Sequence, residues 1–114
     1  MINSKITNRC PVRTTLELLG GKWRLLIVHT LSSESLRLSE LGRRLPEISE
    51  KMLIQELKIL VGSGLVERVN YGKVPPHVEY KLTDLGKEVM PVIQSMAQFA
   101  TIYHEKIWKA TDTD

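Results

Sequence analysis

The stretch SELGRRLPEISEKMLIQELKILVGSG, residues 39–64, decides the fold. Ser39 is placed to cap a short helix running to about Leu45, with Leu41 and Leu45 facing inward and Arg43 and Arg44 outward. Pro46 cannot continue that helix. Ser49 then caps a second helix running to about Val61 or Gly62; Met52 stands where a full capping box would carry Glu. Leu53, Leu57, Leu60 and Val61 recur at i, i+4, i+7 and i+8, the spacing of a buried stripe. Gly64 supplies the C-terminal cap. Two short helices joined by Pro46-Glu47-Ile48 make a helix-turn-helix.

Working outward, residues 66–71 (VERVNY) and 78–82 (VEYKL) alternate with period two. Between them lies Gly72-Lys73-Val74-Pro75-Pro76-His77, which reads as the basic, proline-stiffened tip of a β-hairpin. Upstream, Leu36-Arg37-Leu38 is a short extended candidate. A helix from about Lys22 to Leu31 carries Trp23, Leu26, Ile27 and Leu31 inward, with Trp23 read as core. Before it, Pro11 opens a helix with Cys10 at its N-cap, Val12, Leu16 and Leu19 at helical spacing, and Gly20-Gly21 as its stop. Downstream, Thr83 caps a long last helix, about residues 84–109, in which Pro91 is expected to kink the helix or delay its start. The fold class is mainly α (α+β): a winged helix-turn-helix with a β-hairpin wing and N- and C-terminal dimerisation helices. The whole chain, 1–114, is expected to be a single domain.

Composition narrows the function classes. Apolar residues are 42% and charged residues 25%, the balance of a globular chain rather than a disordered one. The longest aliphatic run is four residues, Leu25 to Val28, so no membrane span is expected. MINSKITNRC has no apolar core of a secretory signal, and a cytoplasmic location is the default. The single cysteine excludes an internal disulfide. His29, His77 and His104 are scattered, with no metal-ligand spacing, and no nucleophile–base pair or phosphate loop supports an enzyme. Neither metal nor cofactor is expected. Charge is uneven: residues 1–81 hold 13 basic and 8 acidic side chains, and residues 82–114 hold 3 and 5. A basic body suits a polyanionic partner.

The second helix of the helix-turn-helix offers the reading face. With its leucines inward, Lys51, Ile54, Gln55 and Lys58 point out. Gln55 has the geometry to pair with adenine, Lys51 and Lys58 reach guanine or phosphate, and Ile54 could touch a thymine methyl. Ser49 and the amides behind it suit a phosphate. Lys22, Arg37, Arg43, Arg44, Arg68 and Lys73, with His77 at the tip, complete the expected contacts to double-stranded DNA. The competing reading of the same surface is a solvated polar face, in a winged helix used as a protein-interaction module without base reading.

These segments together resemble the HxlR-type winged helix-turn-helix transcriptional regulators, relatives of the MarR class found in bacteria and archaea. The resemblance covers about residues 9–100. It rests on Cys10-Pro11-Val12, Gly20-Gly21-Lys22-Trp23, Ile48-Ser49 with Lys51-Met52-Leu53, Gly64-Leu65-Val66, Val74-Pro75-Pro76 with Val78-Glu79-Tyr80, and Leu82-Thr83 with Leu85-Gly86. It implies a homodimer on a pseudo-palindromic operator, read by the helix at 50–62. Two positions depart from the family pattern: Glu50, where proline is frequent, and Glu56, where a basic residue is frequent. Glu56 is expected to lower the positive charge near DNA.

Cys10 is the one candidate for covalent chemistry. It starts a helix and lies between Arg9 and Arg13, both of which favour a thiolate. In some members of the family a cysteine at the matching position senses oxidants, quinones or aldehydes. The alternative is a cysteine that only caps or packs. The last helix carries more apolar residues than one small core can cover. A dimer interface is therefore expected from Ile6, Val12, Leu16, Val89, Ile93, Met96, Phe99, Ala100, Tyr103 and Ile107. A small molecule or reactive electrophile is the effector class that such a regulator would take.

Overall fold

The computed structural model describes residues 10–108, apart from the side chain of Lys73. Its elements are α1 (Pro11–Leu19), α2 (Arg24–Thr30), α3 (Leu38–Arg44), α4 (Glu50–Gly62), β1 (Val66–Lys73), β2 (Pro76–Leu82), α5 (Asp84–Lys87) and α6 (Met90–Tyr103), followed by a π-helical turn, His104–Trp108. One core gathers Leu19 from α1, Ile27 and Val28 from α2, Leu41 from α3 and Leu53, Leu57 and Leu60 from α4. Leu36, Val66, Leu82 and Val89 close it. Burying such aliphatic side chains supplies the main favourable term of folding.

Local chemistry sets the element ends. Ser49 Oγ accepts a hydrogen bond from the Met52 amide at 3.1 Å, which caps α4 as its sequence predicts. Its other end is a Schellman motif. Gly64 takes φ +84°, the Leu65 amide reaches the Leu60 carbonyl, and the Gly64 amide reaches that of Val61. The α3 cap differs from the expectation at Ser39. The cap moves two residues earlier, to Arg37, and the helix starts at Leu38, because Glu40 Oε1 accepts from the Arg37 amide at 2.8 Å. Leu38 is thereby taken from the extended segment, and strand-type pairing there is confined to Leu36. Leu36 exchanges both backbone hydrogen bonds with Tyr80 and adds a single-residue third rung to the hairpin.

The hairpin is longer than its alternation suggests. Pairing runs from Val66↔Leu82 out to Lys73↔Pro76, leaving Val74 and Pro75 as the turn, with their peptide bond cis. A bulge lies between Asn70 and Gly72. The long last helix is two helices. Thr83 Oγ1 caps α5, accepting from the Gly86 amide, and Pro91 falls in the first turn of α6, so the proline delays the start.

Several burial expectations change. On α4 the buried set is Leu53, Glu56, Leu57 and Leu60; Val61 is exposed. On α2, Leu26 is exposed and Val28 is buried in its place. Trp23 packs on the core's edge, half-buried, with Lys22 Nζ 4.9 Å from its ring centroid. Val89 is 7% exposed and fills the domain's own core, so it has no surface left to offer a partner.

Candidate nucleic-acid interface

The solvent face of α4 presents Lys51, Gln55 and Lys58, all exposed, with Ile54 half-buried between them. Successive members lie about one turn apart, so they form a single row. Leu53, Leu57 and Leu60 hold the opposite side of the helix in the core. Packing of these leucines turns the row toward solvent.

Around the start of α4 the other elements converge. A cleft of ~300 Å³ is lined by Arg37, Leu38 and Ser39 of the α3 start, Glu50 of α4, and Pro76 and Val78 of the wing. A neighbouring cleft is lined by Ser39, Gly42, Arg43, Ile48, Glu50 and Leu53. Arg37, Arg43, the first turn of α4 and the base of the wing tip thus share one side of the molecule. Among the described residues, Arg37, Arg43, Lys51, Lys58 and Arg68 form no ion pair. Arg44 differs, with Nη2 3.4 Å from Glu34 Oε2 on the surface. Ser49 spends its oxygen on the α4 cap, and Glu50 adds a carboxylate beside the positive end of the helix. An incoming phosphate at the α4 amides would meet that carboxylate.

On the wing, Arg68 is exposed opposite Tyr80. His77 Nε2 lies 2.7 Å from Glu79 Oε2, and the His77 ring meets Tyr71 edge-on at 5.7 Å. The Lys73 side chain falls outside the described residues.

Glu56 is not on the outward row of α4. Its side chain is 12% exposed, and Oε1 accepts from Arg24 Nε at 3.1 Å. The carboxylate is neutralised from α2 and does not reduce the positive charge of the α4 row. This pair is the polar feature that sequence reasoning missed. The signal was present, because position 56 lies three residues after Leu53 and four before Leu60, on the buried stripe.

Cys10 is exposed at the N-cap of α1, where its carbonyl accepts from the Thr14 amide at 2.9 Å. Arg13 is drawn toward Glu17, 3.8 Å away on the next turn. Arg9 lies outside the described residues. Among the described residues no group of three His, Cys, Asp or Glu side chains could hold a metal ion. No described helix is long and apolar enough to cross a membrane.

The HxlR-like helix-turn-helix profile matches residues 18–107. The chain belongs to the HxlR-like helix-turn-helix family. A curated relative, the HTH-type transcriptional regulator YkvN of Bacillus subtilis (strain 168), is 44% identical over 97 residues, 85% of this chain and 82% of YkvN. Among solved structures, a MarR-family transcriptional regulator from Porphyromonas gingivalis W83 superposes with a TM-score of 0.77 at 46% identity, covering 89% of this chain and 96% of that one. Quinone-bound YodB from B. subtilis gives 0.70 at 35% identity, over 81% and 98%. The HxlR-like chain described here is a transcriptional regulator of the helix-turn-helix, MarR-related type, and its relatives are regulators rather than enzymes.

Proposed function

We propose that the protein is a sequence-specific double-stranded-DNA-binding regulator that acts as a homodimer on a pseudo-palindromic operator and responds to electrophiles or oxidants through Cys10. The observation that carries the DNA reading is the outward row Lys51, Gln55, Lys58, free of ion pairs among the described residues, beside Arg37, Arg43 and the wing. An interaction module would present an apolar helix face there. In this reading α4 enters the major groove, Gln55 and the lysines meet base edges, and Arg43, Arg44, Arg68, Lys73 and His77 meet backbone. Lys22, held over Trp23, is a peripheral backbone contact.

The dimer rests on exposed apolar surface. Val12 is 67% and Leu16 63% exposed on α1, and Met96, Phe99, Tyr103 and Ile107 are exposed on α6 and the turn that follows. Ile93 is half-buried and Ala100 exposed on the same helix; Ile6 lies outside the described residues. Soluble monomers rarely carry an apolar patch of this extent. The sensing role is supported by the exposure of Cys10 at a helix start and by the likeness to YodB, whose solved structure has quinone bound. With one cysteine per chain, a Cys10–Cys10 bridge between subunits, a mixed disulfide or an adduct are the available products.

Selection of bound fragments from genomic DNA, followed by sequencing, tests the DNA reading. The expected result is an inverted repeat with half-site centres about 10 bp apart, one helical turn. Recovery of fragments with no shared sequence would remove the base-reading function.

A further inference from the structure

Arg24 touches three helices at once. It opens α2, its Nε donates to Glu56 Oε1 of α4 at 3.1 Å, and its Nη1 donates to the Glu17 carbonyl of α1 at 3.2 Å. The Arg24 and Glu56 side chains are only 21% and 12% exposed, and Glu56 is the one charged residue among the buried described ones. The Glu17 carbonyl belongs to the last turn of α1, where backbone acceptors lack partners within the helix, and α1 has no basic residue of its own in that turn. Arg24 fills that vacancy from outside.

The rest of the α4 packing is apolar. Contacts of Leu53, Leu57 and Leu60 hold the helix down, but burial of apolar surface has no direction. A charge-assisted hydrogen bond does have one. Glu56 lies next to Gln55 in sequence, so whatever fixes the rotation of Glu56 about the α4 axis also fixes the angle at which Gln55 leaves the helix. Buried ion pairs are weak contributors to net stability, and a role in specifying one arrangement is where they are best attested.

We propose that Arg24 is a positioning residue for base reading: through Glu56 it sets the rotation of α4, and through the Glu17 carbonyl it ties that rotation to the placement of α1. This rests on the DNA reading above and extends it to a residue that touches no DNA. The tie to α1 matters because α1 begins at Cys10 and carries the exposed Val12 and Leu16. A shift of α1 reaches α4 through this guanidinium as well as through Leu19 in the shared core.

The variants Arg24→Lys and Glu56→Gln test it. Lysine keeps the charge but cannot hold both acceptors in a rigid fork; glutamine keeps the shape of glutamate and loses its charge. Operator and random-sequence DNA are titrated in parallel with wild type and both variants, with thermal unfolding measured on each. The expected result is a roughly tenfold loss of preference for operator over random DNA, with random-DNA affinity and its salt dependence unchanged. A purely structural role would weaken both DNAs in the same proportion as the unfolded fraction grows, and that outcome overturns the proposal. Full operator preference in both variants overturns it as well. Wild type without any operator preference is a different result: it removes the base-reading function itself. If Glu56→Gln does not fold, Arg24→Lys alone decides between the outcomes.

Discussion

Gln55 and Glu56 are neighbours in sequence with opposite fates. Gln55 is exposed, and Glu56 is buried against Arg24. One residue on a helix turns a side chain by about 100°, enough to separate a solvent-facing position from a packing position. Under the proposed function, Gln55→Ala costs ~1–3 kcal/mol of operator binding and relaxes preference at one base pair in each half-site. Arg43→Ala, at a proposed backbone contact, weakens operator and random DNA alike and lowers the salt slope by about one. Gel-shift titrations at several salt concentrations separate the two, and a Gln55→Ala protein with wild-type affinity and preference would discard the assigned face. Cys10 gives a second prediction at this scale. Quinone or diamide treatment changes the operator affinity of wild type and leaves Cys10→Ser unaffected; an equal response in both removes Cys10 from the mechanism.

Among the elements, the end of α4 and the start of α5 are tied together through Thr83. Thr83 Oγ1 donates to the Gly64 carbonyl at 2.6 Å and accepts from the Gly86 amide at 3.0 Å, while the Thr83 amide reaches the Leu65 carbonyl at 3.1 Å. Gly86 is buried so close to the Leu65 carbonyl oxygen that a Cβ would collide with backbone. Backbone cannot yield as a flexible side chain can, so Gly86→Ala is expected to destabilise the fold by about 1–3 kcal/mol, read as a lower unfolding midpoint in urea. Ser49→Ala removes the acceptor for the Met52 amide and should cost about 1 kcal/mol. It also acts at the start of the reading helix, so operator affinity and stability should fall together. An unchanged midpoint for Gly86→Ala would mean that α5 moves away from Leu65 at little cost.

For the whole molecule, the question is what covers the far end of α6. Val92 and Ile93 still pack on the core, but from Gln94 to Trp108 every residue is exposed. Phe99, Tyr103 and Trp108 contact one another, with ring centroids 6.1 Å apart for the first pair and 4.9 Å for the second. An aromatic ladder projecting from a small domain is stabilised when a second copy lies against it, and the exposed Val12 and Leu16 of α1 offer more of the same surface. A two-fold pair would set two α4 helices about 34 Å apart, one turn of B-DNA. Sedimentation should therefore show a dimer for wild type and a monomer for the double variant Met96→Asp, Tyr103→Asp, with operator affinity lost in the second. A wild-type monomer at micromolar concentration that binds DNA as one unit would end the dimer reading.

Residues 39–64 carried the helix-turn-helix on their own because its determinants are local. A proline break, a serine cap, a leucine stripe and a glycine with positive φ each act within a few residues of chain. The hairpin and the delayed start of the last helix were legible for the same reason. The outward row of α4 followed from the leucine spacing, since naming the buried side names the other. What the sequence left open depends on partners distant in the chain. Glu56 reads as surface charge until Arg24, 32 residues away, is brought beside it. Val89 reads as interface until the core of the same domain closes over it, and Leu26 and Val28 exchange places once α2 packs on α4. The start of α3 is a local exception: the Glu40 side chain claims the amide of Arg37, three residues away, and so caps the helix ahead of Ser39. Helical periodicity fixes which residues share a face to within about one position; only packing against the other elements decides where that face ends and which charge it encloses.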